Sequence, residues 1–369
     1  MRIARRAVAL TIVGGSALVA ACGSSDSPAA QPGSGGSSGA AGGSGSLPCE
    51  ATEALDMTGT WAAFARFSVS MQGQSGGVVA VCPDDQVRQS SLLLLLDMTQ
   101  AQGSTSVDPI QAVACWMELP TVTAIAGQCA ADAPNLVTTQ ILAPPAMIDA
   151  MAGVQIPPGK GTLSGLQPGA RWTPDRLAFT LGARPDADLP VWNVDASTCG
   201  MKDVSAGRTQ SCETACVSDC SALMDADGDG WPGVTAHVCG TTADDVAAKV
   251  ECNPETPNAG GVTLQGRALL DLRIDPLFDG TVKSSCEVSG QVDARVVYNV
   301  IGADIYLANT QISVASAIKS LPGFQVDSAN SLFRMIRVDG RHGAPDWGVD
   351  MTSAAAACAV AAQHRNELL

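Results

Sequence analysis

Aromatic side chains make up only 4% of this 369-residue chain, too few for the extended stacking platforms on which sugars or single-stranded nucleic acids are held. Histidine is scarcer still. His237, His342 and His364 are the only three, and none stands in a motif with a nucleophile. Basic residues are also short, 21 Lys and Arg against 36 Asp and Glu. Such an acidic chain repels phosphate backbones and anionic lipid and attracts cations, so nucleic acid is not an expected partner. No alternation of strand and helix and no phosphate loop points to a nucleotide-binding sheet. Long apolar runs are absent as well: the longest, Ala7–Ala21, is shorter than the roughly 20 residues needed to span a bilayer as a permanent helix.

That run is nevertheless informative. Arg2, Arg5 and Arg6 precede it, and it ends in Leu18-Val19-Ala20-Ala21-Cys22, the pattern of a secretory signal peptide with small residues at the cleavage point. The cysteine directly after them resembles the lipobox of bacterial lipoproteins. The resemblance implies that residues 1–21 are removed and that Cys22 is lipidated, carrying a diacylglyceryl thioether and an acylated amine. At roughly 0.8 kcal/mol per buried methylene, two or more chains anchor a protein stably to a lipid bilayer. In that family a residue other than Asp after the cysteine, here Gly23, usually accompanies placement in the outer membrane of a Gram-negative-type envelope. After Cys22, residues 23–48 are mostly Gly, Ser, Ala and Pro with one charge, Asp26, too polar and too small to order themselves, so 22–48 reads as a lipidated cysteine and a tether. As a coil they reach on the order of 30 Å. Removing residues 1–21 takes away three arginines and no acids, leaving 18 basic against 36 acidic side chains and a net charge of −18.

The folded body is expected over 49–369. Its twelve cysteines, Cys49, Cys82, Cys115, Cys129, Cys199, Cys212, Cys216, Cys220, Cys239, Cys252, Cys286 and Cys358, form an even set in an exported chain, which reads as up to six disulfides of undetermined pairing. The clearest periodicity is two. Trp61, Ala63, Ala65, Phe67, Val69 and Met71 alternate with smaller or polar residues, as do Leu264, Ala268, Leu270, Leu272 and Ile274. Val113–Leu119 and Val292–Val300 repeat the pattern, that of half-buried antiparallel strands. Leu92–Leu96, apolar throughout, reads as a strand covered on both faces. Further strands are expected around 162–166, 177–181, 234–239, 304–313 and 332–338, with turns at Gly76-Gly77, Pro157-Pro158-Gly159, Asp279-Gly280 and Asp339-Gly340. Short helices are expected over 144–151, 242–251, 313–320 and 352–364. The expected fold is mainly β, an antiparallel barrel or sandwich with a short C-terminal helix and a cysteine-rich, loop-dominated insert at 196–260. Cys212, Cys216 and Cys220, with His237 and Cys239, offer a metal set, although an oxidising compartment favours disulfides.

Within that insert stands Asp225-Ala226-Asp227-Gly228-Asp229-Gly230-Trp231-Pro232-Gly233. Carboxylates at every second position, followed by a glycine, can curl around one hard cation, with the carbonyl of Trp231 as a fourth ligand. The nine residues resemble the Asp-x-Asp-x-Asp-Gly calcium loops of EF-hands, dockerins and thrombospondin type 3 repeats. That resemblance implies calcium on Asp225, Asp227, Asp229 and Trp231. It departs at the twelfth loop position, where a bidentate Glu is expected and Ala236 stands; Asp219, Asp244 and Asp245 are the nearest replacements. The alternative is an Asp-Gly turn with solvated carboxylates.

Gly59-Thr60-Trp61 resembles the Gly-x-Trp at the start of lipocalin barrels. The resemblance implies a tryptophan plugging a closed end beside an arginine from a late strand, here Arg334 or Arg337, and a barrel pocket for a small apolar ligand. Gly73-Gln74-Ser75-Gly76-Gly77 satisfies a serine-hydrolase pattern, but the following Val78–Val81 reads as a strand, so a hairpin turn is the natural reading. Two functions follow. One is a non-enzymatic envelope lipoprotein that binds a ligand or an envelope protein; the other is a lipid-tethered extracytoplasmic hydrolase working through acidic residues.

Overall fold

The period-two segments become strands of one antiparallel sheet in a computed structural model of the chain. The structure describes residues 49–50, 54–72, 79–81, 84–126, 136–154, 156–191, 220–254, 264–312 and 323–368. Cys22, the tether, the Gly73–Gly77 motif and the helix expected at 313–320 lie outside them.

Eight strands close on themselves. They are β1 (Gly59–Gln72), β3 (Asp84–Gln100), β4 (Ser106–Glu118), β7 (Gly159–Leu163), β8 (Arg171–Pro174), β11 (Leu264–Ser284), β12 (Glu287–Leu307) and β14 (Gly323–Arg337). Each pairs antiparallel with the next of these in chain order, and β14 returns to β1 through Trp61↔Arg337 to Gln72↔Gly323. This is an up-and-down barrel, which answers the choice between barrel and sandwich. The first half of β11 also pairs with β10 (Val234–Thr241), which leads through β6 (Leu136–Leu142) and β5 (Val122–Ala126) to β2 (Val79–Val81). Two short strands complete the sheet: β9 (Phe179–Leu181) on the middle of β11, and β13 (Thr310–Gln311) on the end of β12.

The alternation is read out as two faces. Trp61, Ala63, Ala65, Phe67 and Val69 point into the barrel, as do Leu92, Leu94 and Leu96. Ala62, Phe64, Leu93 and Leu95 point outward, under the C-terminal helix α3 (Ala354–Gln363). Ala357, Cys358 and Ala361 are that helix's buried stripe, and a Cys115–Cys358 disulfide fixes it to β4. Residues 92–96 are continuously apolar because both faces of that strand are covered.

Three expectations are corrected. Asp279-Gly280 is no turn: it lies inside β11, paired with Gln291 and Gly290, and the chain reverses at 285–286. The glycine is there for packing, since a Cβ on Gly280 would sit 2.7 Å from Phe333 Cζ. The helix expected over 242–251 shrinks to α2 (Ala243–Ala247), whose start is held by reciprocal bonds between Thr242 and Asp245. The strand expected at 234–239 within the insert is present as β10, which joins the sheet between β11 and β6. Cys239 is no metal ligand, being bonded to Cys252. The helix at 144–151 is present as α1 (Pro145–Ala152).

Candidate functional site

The Asp loop crosses the outer surface of the β11–β12 hairpin. Trp231 anchors it, buried against Leu269 and Ile301. Ile301 reaches that face because the pairing shifts between Leu269↔Gly302 and Leu270↔Val300, which leaves it as the extra residue of a bulge. Asp225, Asp227 and Asp229 each offer a carboxylate oxygen within 4.8 Å of the others. The loop's own donors hold them there: Gly230 N–H to Asp225 at 2.9 Å, Trp231 N–H to Asp229 at 2.8 Å, and Thr235 N–H to Asp227 at 2.7 Å. The Thr235 hydroxyl adds a bond to Asp229 at 2.6 Å. Burial raises the pKa of Asp227, and repulsion from Asp229 and Asp225 adds to it against the Thr235 bond. Its Oδ1 is buried with no hydrogen-bond partner among the described residues. A crowded carboxylate with an orphaned oxygen fits a cation, so the three aspartates can hold a metal ion. Among the described residues no fourth acid joins them: Ala236 faces the barrel interior, Asp245 caps α2, and Asp219 is outside the described residues.

The second feature is inside. A cavity of about 200 Å³ occupies the half of the barrel where β10 and β6 flank β11. Leu264, Ala268, Leu270, Leu272 and Ile274 supply one wall, the even positions of β11. Phe67, Val69, Ala236, Val238, Val300 and Ile305 are among the others. The polar side chains on it are Ser90, Ser91, Thr139 and Tyr298, and none of the lining residues is charged. Ser90 donates to the Glu118 carbonyl at 2.5 Å. Thr139 is 2% exposed, and its hydroxyl has no partner among the described residues. Burial raises the pKa of Tyr298, whose ring lies 5.7 Å from that of Phe324.

The opposite half of the barrel is solid. Trp172, Phe278 and Phe333 form a ring cluster, with centroids 4.9 to 6.3 Å apart. Below it Trp61, fully buried, donates to the Met57 carbonyl at 2.9 Å, and the Arg337 guanidinium lies 4.8 Å over its ring. Arg337 donates to the carbonyls of Asp56, Thr58 and Ser285 and is completely enclosed. Of the two arginines proposed beside Trp61, it is therefore Arg337; Arg334 pairs with Glu287. Gly59 makes the arrangement possible: it adopts φ +131°, and a Cβ there would meet Asp339 Oδ2 at 1.9 Å. A Cys49–Cys286 disulfide straps the N-terminal segment across this end. Asp56 in that segment accepts from His342 at 3.0 Å. Burial opposes its charge, but bonds from Thr58 and His342 and the field of Arg337 outweigh it and lower the pKa.

Cys49, Cys115, Cys239, Cys252, Cys286 and Cys358 thus pair as three disulfides. Cys82, Cys129, Cys199, Cys212 and Cys216 lie outside the described residues, and Cys220 opens a short 3-10 turn. Sequence reasoning missed Thr139 and Tyr298, which no motif marks. It also missed Asp271, taken for a solvent-facing position of an alternating strand but fully buried, with Asn299 Nδ2 donating to it at 2.9 Å. No helix among the described residues is long and apolar enough to cross a membrane.

No protein-family model matches this chain. No curated protein matches it either. Among solved structures, an outer membrane channel from Pseudomonas putida F1 aligns over 78% of this chain and 97% of its own, at 10% identity and a TM-score of 0.20. A likeness at that level carries no argument about fold or function.

Proposed function

We propose that this chain is a non-enzymatic envelope lipoprotein whose barrel takes up a small apolar ligand. One observation carries the ligand reading: a cavity of about 200 Å³ inside a closed barrel, walled by apolar side chains. Empty apolar cavities of this size stay dry and accept apolar guests; one of about 150 Å³ admits benzene. The lipocalin-like resemblance supports the same reading, since Gly59, Trp61 and Arg337 stand together at the closed end of an eight-stranded up-and-down ring. Native mass spectrometry of the purified mature protein tests it. A retained small apolar adduct, displaced by added hydrocarbon, is expected; a chain that never carries or accepts one argues against the reading.

The anchor is the acylated Cys22, with the tether holding the barrel off the bilayer, in the outer membrane by the Gly23 rule. Cys22→Ser is expected to move the protein from the membrane to the soluble fraction. Fatty-acid labelling that persists in that variant contradicts the anchor. Calcium is the cation we assign to Asp225, Asp227 and Asp229, with the Trp231 carbonyl, as a structural pin for the loop. Three carboxylates without a bidentate fourth imply weak affinity, suited to an extracytoplasmic calcium supply.

A further inference from the structure

The ring of strands closes between β12 and β14 through five residue pairs, Glu287↔Ile336 to Gln291↔Leu332. Beyond Gln291 the two strands part. The cause is in β14: between Arg66↔Leu332 and Ser68↔Asp327 its four residues 328–331 stand opposite the single Phe67 of β1. Asp327 holds this long bulge, accepting from Ala329 N–H at 3.1 Å and from Asn330 Nδ2 at 2.6 Å. A bulge bends and twists its strand. The start of β14 accordingly follows β1 as far as Gln72↔Gly323 instead of following β12. From Val292 to Val297, no strand among the described residues pairs with the edge of β12 that faces away from β11.

The cavity lies behind this seam. Val296 and Tyr298 of β12 line it, and so do Phe324 and Val326 of β14. Exposure follows the seam: Val296 is 38% exposed although it lines a cavity, and Tyr298, Phe324 and Val326 are half-buried. On the wall away from it, Leu264, Ala268, Leu270, Leu272 and Ile274 of β11 are all buried. Outside, Val297 and Leu332 flank the seam, 38% and 50% exposed, so an apolar molecule meets apolar surface before it enters. Phe324 stands across the way in. Its ring lies 5.7 Å from that of Tyr298, and it also packs against Val122 of β5. We propose that the seam between β12 and β14 is the portal of the cavity, with Val296 as its lip and Phe324 as its gate. An apolar guest passes between the strands when the Phe324 ring swings away from Tyr298. The portal presupposes that the cavity is a ligand site. Exchange by this side route leaves the packed end at Trp61 and Arg337 undisturbed, since the five pairs below the seam stay in place.

Fluorine NMR exchange of fluorobenzene with the purified mature protein tests this, because it reads entry and exit rates as well as Kd. A cavity of about 150 Å³ already admits benzene, so a guest of this size fits. Phe324→Ala should speed entry and exit together by about fivefold or more, since a gate changes rates and not end states. Val296→Phe should slow both by a similar factor. In each variant Kd should move less than about threefold, the two rates cancelling. Leu119→Phe is the control, at a half-buried position of the lining separated from β14 by β1 and β3, and should leave both rates as they are. The bound signal in each variant shows that it is folded, and Val296→Phe, at an exposed position, carries the test should Phe324→Ala not fold. Rates indifferent to Phe324 and Val296, or governed by Leu119, overturn the portal and leave the cavity a ligand site. A change in Kd carried by exit alone also overturns it, because the two side chains are then contacts of the guest and not its passage. If the unaltered protein gives no bound signal, the cavity is not a ligand site and the reading beneath the portal fails.

Discussion

At the end of the barrel crossed by the N-terminal segment, Trp61, Trp172, Phe278 and Phe333 fill the interior, and Arg337 ties three backbone carbonyls to one buried guanidinium. Further along β11 and β12 the same barrel is lined by Ala236, Ala268, Ala294, aliphatic chains and the rings of Phe67, Tyr298 and Phe324, and about 200 Å³ is left empty. Both regions are apolar, and both come from period-two strands. They differ in side-chain volume and not in polar satisfaction: Trp172 Nε1 in the packed end and the Thr139 hydroxyl beside the cavity are both buried without a hydrogen-bond partner among the described residues. One end is built for rigidity and the other gives up packing to leave room. Stability should therefore be concentrated at the closed end and adaptability at the cavity.

The largest effect should come from opening the closed end. Arg337→Met keeps the length over Trp61 but strips the carbonyls of Asp56, Thr58 and Ser285 of their donor. Breaking one partner of a buried charged network costs about 3–5 kcal/mol. Denaturant unfolding should show that loss, and a loss under 1 kcal/mol would mean the arginine is not what holds this end.

Next in size is a change beside the cavity wall, on the outer side of β11. Asp271 is fully buried, and burial lifts its pKa from 3.8 to about 7, opposed only by hydrogen bonds from Asn299. Between those values the folded state keeps a proton that the unfolded chain releases, so stability falls as pH rises from about 4 to 7 and stays low above. Asp271→Asn removes the charge that causes the fall while an amide oxygen can still accept from Asn299. The variant should gain roughly 2–4 kcal/mol at pH 8 and little at pH 4. Unfolding measured at both pH values checks the sign; an equal gain at both would place the cause elsewhere.

The sequence carried the antiparallel strands, though not the choice of barrel over sandwich, because alternation is a direct image of a two-faced strand. Leu92–Leu96 carried more: five leucines in a row foretold cover on both faces, and α3 with the barrel interior supplies it. Asp279-Gly280 misled because a turn pair and a glycine cleared for Phe333 look alike until the ring above is seen. The carboxylate cluster was legible because its three aspartates are local. The Trp61–Arg337 contact was half legible, 276 positions apart but prompted by a known pairing. The cavity was not legible at all. An empty space is a sum over facing side chains from many strands, and Ala268 or Thr139 looks the same in sequence whether its neighbour is near or missing. Asp271 failed for a similar reason, since what covers it, the segments whose Gly182 and Gly233 press on the Leu270 carbonyl, comes from elsewhere in the chain.

A smaller effect separates the cavity half through its outer cover. Trp231 joins the Asp loop to Leu269 and Ile301, so a cation on Asp225, Asp227 and Asp229 would tighten the cover over this half and leave the closed end untouched. Calcium at about ten times its Kd adds roughly 1.4 kcal/mol, a rise of a few degrees in Tm. Asp227→Asn should abolish the rise. A melt that chelation leaves unchanged removes the metal from the account.

The finest test makes one substitution at both ends. Ala63, 1% exposed, faces the packed interior on β1 beside Trp61, and Ala268, 6% exposed, faces the cavity on β11. Leucine at Ala63 has nowhere to go and must displace its neighbours, at a cost of about 1–3 kcal/mol. Leucine at Ala268 can extend into empty space and bury about three more carbons, so it should be neutral or stabilising by about 1 kcal/mol. The same side chain should lower the affinity for a small apolar guest, because it takes the volume the guest needs. Equal destabilisation at the two positions would mean that the space beside Ala268 closes up in solution. Opposite signs would locate the room for a ligand in the half of the barrel where Ala236, Ala268 and Ala294 stand on the wall.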